Sequence, residues 1–259
     1  MDYGIQISAS GALTAMYRQD VLTNNLANAS TVGFKPDIPS TRQRDPVRRE
    51  DGVFHLPSSA MLERLGAGVM LNPNRAIFGQ GALERTGGAL DVAIQGNGFF
   101  VVRDETDTTG DRMRLTRDGR FARDSGGRLV MAAGGRPVMD ANNRPITLTG
   151  TGKVTIDADG AVLQDGRSVA KLQLADVRET SRLEKAGNSL FRAPAGSVAP
   201  RQQAEGTLRQ GFVEASGVDE ITTMMQITGA SRDVEANIGM IQQADRLMDR
   251  AINQLGRVT

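Results

Sequence analysis

The alternation of apolar and polar positions is most regular near the end of the chain. From Val218 to Leu255 there is no proline. Met224, Ile227, Val234, Ile238, Ile241, Met248, Ile252 and Leu255 fall on one heptad seam broken only by Ser231 and Asp245. A 3.5-residue repeat keeps one stripe of a helix against a partner along its whole length, as in a coiled coil. Such a helix would be roughly 55 Å long, more than the width of a small domain, so its partner is expected at the other end of the chain or on another molecule. Gly229 and Gly239 would each weaken it in isolation by about 1 kcal/mol.

The start of the chain carries the same period. Residues 4–29 read as a helix with Ile5, Ala9, Ala12, Met16 and Leu26 in heptad phase, Gln19 and Thr23 as polar interruptions, and Leu13 and Leu22 widening the stripe. The run Ser8-Ala9-Ser10-Gly11-Ala12 is either a weak helix end or a surface trimmed so that another helix can come close. Thr31-Val32-Gly33 should end the helix, glycine supplying a left-handed residue and Pro36 blocking continuation.

Between the helices the period changes. Residues 35–80 are punctuated by Pro36, Pro39, Pro46, Pro57 and Pro73. They carry Arg42, Arg44, Arg48 and Arg49 diluted by Asp45, Glu50 and Asp51, and read as an irregular linker or a contact segment ordered by neighbours. Residues 81–180 read as β. Phe99-Phe100-Val101-Val102 is a short apolar run of the buried-strand kind, and Asp118-Gly119, Gly134-Gly135, Asp159-Gly160 and Asp165-Gly166 mark tight turns. Leu129, Val138, Ile146, Leu148, Val154, Ile156, Val162, Leu172 and Leu174 are expected to point inward. Residues 184–203 read as an irregular return, 208–213 as a last strand, and Ser216 as a helix N-cap with Asp219 three residues on. The expected fold is α+β: terminal helices pairing in a coiled-coil-like stem, with a central, mainly antiparallel sandwich or small barrel. The divisions are 1–34, 35–80, 81–215 and 216–259.

Composition narrows the function. A net charge of +1 argues against a dedicated nucleic-acid binder. No apolar run approaches 18 residues, so membrane insertion is not expected, and residues 1–16 lack the pattern of a cleaved signal peptide. The absence of cysteine removes disulfides and thiolate sites. His55 is the single histidine, so there is no Cys/His pair, two-histidine metal site or convincing Ser-His-Asp set. Gly96-Asn97-Gly98 opens into a strand and lacks the third glycine and the helix of a phosphate loop. Asp157-Ala158-Asp159-Gly160 lacks the rest of a calcium loop. No catalytic, cofactor-binding or metal residue is expected. The rival reading is a β-rich carbohydrate (peptidoglycan) hydrolase with a helical appendage, which needs two carboxylates across one cleft.

Four motifs resemble one family. Asn24-Asn25-Leu26-Ala27-Asn28-Ala29-Ser30-Thr31-Val32-Gly33-Phe34-Lys35 resembles the N-terminal signature of the bacterial flagellar rod and hook proteins. Asp91-Val92-Ala93-Ile94-Gln95-Gly96-Asn97-Gly98-Phe99-Phe100 and Thr116-Arg117-Asp118-Gly119-Arg120-Phe121 resemble its first β motif and next hairpin. Gly211-Phe212-Val213-Glu214-Ala215-Ser216-Gly217-Val218 resembles the lead-in to its last helix. The chain departs from the family at Gly217, where asparagine is common, and in Ser231-Arg232-Asp233-Val234-Glu235-Ala236-Asn237, which lacks the usual glutamine and aromatic residue. Its opening and length look more like the proximal-rod than the distal-rod members.

The resemblance implies a structural subunit of the rod, an axial shaft crossing the periplasm, exported by the flagellar type III apparatus without a cleaved signal. It implies partners among copies of itself and other rod and hook subunits in a helical tube serving motility. The residues expected at subunit interfaces are Ile5, Ala9, Ala12, Met16, Asn24, Asn25, Leu26, Asn28, Met224, Ile227, Val234, Ile238, Ile241, Met248, Ile252 and Leu255.

Overall fold

The computed structural model describes residues 3–255 apart from 51, 53, 56, 58–65, 67, 108–111, 151, 195–197 and 204–205. It forms two compact units. One combines Met1–Ala27, Asp37–Arg75 and Asp219–Thr259; the other combines Asn28–Pro36 and Ala76–Val218.

The helical unit holds α1 (Tyr3–Ala27), β1 (Asp37–Gln43), a single helical turn α2 (Val47–Glu50), β2 (Val69–Ala76) and α3 (Glu220–Leu255). Helices α1 and α3 pack on each other. They run antiparallel: Gly11 lies against Asn237, whereas Arg18, further along α1, reaches back to Asp233 (3.7 Å).

The covered positions on α3 are Thr223, Ile227, Ala230, Ser231, Val234, Asn237, Ile241 and Ala244. The heptad seam is therefore present, but turned by one residue at alternate positions. Ile227, Val234 and Ile241 are covered as expected. Thr223, Ala230, Asn237 and Ala244 take the places assigned to Met224, Ser231, Ile238 and Asp245, of which Ser231 alone is half-covered. On α1, Ala12 is buried as expected, Ala15 takes the place assigned to Met16, and Leu13 and Met16 are exposed. The reason is separation. A Cβ on Gly11 would stand 2.6 Å from Oδ1 of Asn237, so this contact admits only small side chains. The small-residue run serves close approach within the chain.

The second face of α1 carries the β1–β2 ribbon. Ser10 Oγ accepts from Val69 N (3.3 Å), Tyr17 OH donates to Asn74 (3.0 Å), and Asn25 makes a paired bond to Asp37. The expected irregular segment thus begins and ends in paired strands. Pro39 and Pro73 are tolerated because each strand of a two-stranded ribbon has an edge where no amide is needed.

The β unit is antiparallel in all its described pairings. Its largest sheet runs in the order Glu184–Lys185, Leu190–Arg192, Met113–Thr116, Phe99–Arg103, Leu174–Val177, Val198–Gln203. Val154–Ile156, Ala161–Gln164 and Arg167–Lys171 form a meander. Three ribbons complete it: Val92–Gln95 with Thr207–Gln210, Leu83–Arg85 with Phe212–Glu214, and Phe121–Arg123 with Leu129–Met131. Strand Phe99–Arg103 divides two cores. Phe100 and Val102 join one with Leu129, Val138 and Ile146, while Phe99 and Val101 join another with Leu115, Met139 and Phe191. A run apolar at successive positions is what burial of both faces requires. All nine residues expected to point inward belong to the first core, Val154 and Leu174 at its margin.

The N-cap of α3 is Asp219 rather than Ser216. The Asp219 carboxylate accepts from Thr222 N (3.1 Å) and Thr222 Oγ1 (2.8 Å), whereas Ser216 Oγ accepts from Val218 N two residues on. These bonds, the Thr222 amide foremost, hold the Asp219 carboxyl below the usual aspartate value.

Candidate assembly surface and a buried ion triad

Two features stand out: an uncovered apolar surface on the helical unit, and a sealed charge cluster in the β unit.

On α3, Ile221, Met224, Met225, Ile238, Met240, Leu247, Met248 and Ile252 are exposed, as are Leu13 and Met16 on α1. Of the residues expected at subunit interfaces, Met16, Asn24, Met224, Ile238, Met248 and Ile252 are exposed. Ile5, Ala9, Leu26, Asn28, Ile227, Val234 and Ile241 are partly covered within the chain. Ala12 and Asn25 are buried. Asn25 is engaged inside the chain: its Nδ2 donates to Asp37 O (2.8 Å) and its Oδ1 accepts from Asp37 N (3.0 Å), so its amide stands in for a strand neighbour of β1. Asn28 Oδ1 accepts from Thr31 Oγ1 (3.2 Å). Leu255 closes α3, and its side chain lies outside the described residues. Helix α3 is 36 residues long and α1 is 25, so at 1.5 Å per residue α1 cannot cover about 16 Å of it. Met248 and Ile252 lie on that stretch.

The charge cluster joins three distant segments. Gly33, at φ 67°, donates its amide to Glu214 O (2.7 Å), and Gly217 N donates to Phe34 O (3.0 Å). Residues 33–36 are thereby laid beside 214–217. A Cβ on Gly33 would stand 2.6 Å from backbone atoms of Arg117 and Asp118, so only glycine allows both the left-handed turn and the close approach. Lys35 then enters the interior. Its Nζ lies 2.5 Å from Glu214 Oε1 and donates to Gly79 O (2.7 Å). Gly81 N donates to the same carboxylate oxygen (2.9 Å), and Arg117 Nη1 donates to Oε2 (3.2 Å). The Arg117 guanidinium lies over Phe99 (5.0 Å). The side chains of Lys35 and Glu214 are fully buried and that of Arg117 is 5% exposed. Burial, the largest influence, pushes Lys35 below the ordinary lysine value despite the opposing pull of Glu214; burial likewise lowers Arg117. Cut off from solvent, these groups are suited to cross-linking the fold rather than to proton transfer.

The triad was not anticipated from the sequence. Its signals were Lys35 directly after Gly33-Phe34 and Glu214 inside the apolar stretch Phe212-Val213-Glu214-Ala215. A lone charge amid apolar neighbours needs a partner if buried, but spacing cannot say which partner.

Neither feature is catalytic. A depression of about 400 Å³ in the β unit is lined by Arg85, Gly87, Gly88, Ala89, Lys153, Val154, Gln210, Gly211 and Phe212. That lining includes no carboxylate and cannot supply the pair that glycoside hydrolysis needs. Among the described residues no cluster could hold a metal ion, and no helix is long and apolar enough to cross a membrane.

Three family models match the chain in order. Residues 5–35 match the flagella basal body rod protein model, 93–164 the flagellar hook protein FlgE/F/G D1 domain, and 209–255 the flagellar basal body rod FlgEFG protein C-terminal model. Each matched segment supplies one member of the triad: Lys35, Arg117 and Glu214. The flagellar basal-body rod protein FlgF of Caulobacter vibrioides is 32% identical over 260 residues, covering the whole of both chains. The chain belongs to the flagellar basal-body rod protein family. FlgF of Rhizobium meliloti is 31% identical over 99% of each chain. FlgG of Borreliella burgdorferi is 28% identical over 95% of this chain and 96% of its own. The rod protein is thus a structural subunit of the flagellar basal body, not an enzyme, and it assembles with other axial subunits.

Proposed function

We propose that this rod protein polymerises through the exposed faces of α1 and α3 into a helical tube. The carrying observation is the register of the helix pair. Small residues are used within the chain, and Met224, Ile238, Met248 and Ile252 remain exposed on α3. Ten large apolar side chains on the two helices are on average about half exposed. At about 2 kcal/mol per fully buried side chain, covering them would contribute roughly 10 kcal/mol gross, enough to offset much of the cost of association. Head-to-tail contacts that do not close give a filament.

The full-length similarity to two FlgF proteins supports the proximal-rod type. We place the subunit in the part of the shaft that crosses the periplasm, delivered by the flagellar type III apparatus. Its partners are copies of itself and other rod and hook subunits.

The test is Met224→Asp combined with Ile238→Asp in the full chain. Rod assembly, scored by sedimentation and by motility in cells lacking the natural copy, should be lost. Helix content and the unfolding of the β unit should stay as in the parent. Normal motility and sedimentation would remove the proposal.

A further inference from the structure

The chain has no cysteine and no tryptophan but 11 methionines. Their placement is divided. Met131 and Met139 are wholly buried in the β unit, whereas Met16 on α1 and Met224, Met225, Met240 and Met248 on α3 are between 40% and 64% exposed. These five make up half of the ten large apolar side chains exposed on the two helices. They are also spread around α3. In the heptad register of the covered seam (Ile227, Val234, Ile241), Met248 continues the seam onto the stretch that α1 cannot reach. At about 100° per residue, Met224 and Met240 flank the seam on opposite sides and Met225 lies on the far face. Whichever uncovered face of α3 meets a neighbour, a thioether enters the contact. A methionine sulfur packs adaptably against apolar surfaces, and with cysteine and tryptophan absent it is also the readiest site of oxidation in the chain.

We infer that these five methionines are a modification site through which oxidation controls assembly: a peroxide that reaches the free subunit converts them to sulfoxides and so blocks joining. This rests on the reading that the exposed faces of α1 and α3 assemble. In each step the thioether sulfur gives an electron pair to one peroxide oxygen. The S–O bond forms, the O–O bond breaks, and the other oxygen leaves as water with the peroxide's protons. The sulfur is oxidised and the peroxide reduced, with no further reagent. The product carries a strongly polar sulfoxide oxygen. Burying a polar atom against an apolar neighbour without a donor is unfavourable, so each sulfoxide turns a contact that favours association into one that opposes it. Met131 and Met139 are out of the oxidant's reach, so the β unit keeps its core. Once subunits have joined, the contact itself excludes the oxidant, and the sensitivity belongs to the free subunit. Reductases return methionine sulfoxide to methionine, which makes the block reversible.

The full chain is treated with dilute hydrogen peroxide, and mass spectrometry of its peptides locates the added oxygens. Sulfoxide is expected at the five helix methionines and not at Met131 or Met139. The treated chain should keep the parent's circular dichroism. By sedimentation and light scattering it should associate about tenfold or more weakly than the untreated chain. The two reductases that act on the two sulfoxide epimers should together restore association. A second protein carries Met16→Leu, Met224→Leu, Met225→Leu, Met240→Leu and Met248→Leu. Compared only with its own untreated sample, it should show no such loss, while Met70, 38% exposed on β2, reports that the peroxide acted. An oxidised chain that associates like the untreated one, an association that stays lost after full reduction, or a leucine variant that loses as much on treatment would each overturn the inference. The assembly reading fails separately, if the untreated chain stays monomeric at the highest attainable concentration or the Met224→Asp, Ile238→Asp double variant still forms rods.

Discussion

Replacing Glu214 by alanine should be among the most damaging single changes in the β unit. The carboxylate is fully buried and is shared by Lys35 at 2.5 Å, Arg117 at 3.2 Å and the Gly81 amide at 2.9 Å. Its loss leaves two buried cations without a counter-charge and one amide without an acceptor. Breaking a buried ion pair from one side costs about 3–5 kcal/mol, and an orphaned amide about 1–3 kcal/mol. The two overlap, because water entering the gap would serve both, so about 4 kcal/mol is expected. Domains of this size are stable by about 5–15 kcal/mol, so the change removes a large share. Urea unfolding of the full chain measures it, followed in the phenylalanine band of the near-ultraviolet circular dichroism, because both tyrosines, Tyr3 and Tyr17, lie in the helical unit; the helical signal at 222 nm is read separately. The companion is the triple variant Lys35→Met, Arg117→Met, Glu214→Leu, which removes every charge and should fall within about 2 kcal/mol of the parent. A Glu214→Ala loss under about 1 kcal/mol would refute the view that the triad is a buried charge cluster without access to water. A triple variant as unstable as Glu214→Ala would show that shape, not charge, is what matters there.

Three further outcomes follow from named geometry. Gly33→Ala combines a left-handed φ of 67° with overlap onto Arg117 backbone; it should cost about 2–3 kcal/mol in urea unfolding, and a loss below about 1 kcal/mol would mean the turn relaxes freely. Gly11→Ala should weaken the helical unit, because the new methyl group meets Asn237, while adding Asn237→Ala should restore or raise helix content through alanine's better propensity, by about 1 kcal/mol; a single variant as helical as the double would contradict the close approach. Burial holds Lys35 below 10.5, so in the window under 10.5 the unfolded chain binds more protons than the folded one, and stability from this group rises with pH. The stability difference between the parent and Lys35→Met should therefore grow in the parent's favour from neutral pH toward 10.5, and a flat difference would disprove the burial effect.

Much of the architecture can be read from the residues. The 3.5-residue period at both ends, the two-residue period and Asp-Gly turns between them, and the run Phe99-Phe100-Val101-Val102 specify a helix at each end of the chain and an antiparallel sheet unit between them in sequence, because those periods follow from local geometry. The nine residues expected in the β core are there for the same reason. Period alone could not choose between neighbouring registers on α3. Met224 and Ile238 are the more apolar residues, yet Thr223, Ala230 and Asn237 face α1. The closeness of two helices is a property of the pair, set here by Gly11 and its neighbours on the other helix. Segment 35–80 looked irregular because its prolines forbid an interior strand. Only the position of α1 beneath β1 and β2, with Asn25 matching Asp37, made an edge ribbon stable there. The ion triad lay furthest from view. Lys35, Arg117 and Glu214 are far apart along the chain, and each alone reads as an ordinary charged residue. The fold brings them to one dry point, and there the low dielectric makes each dependent on the others.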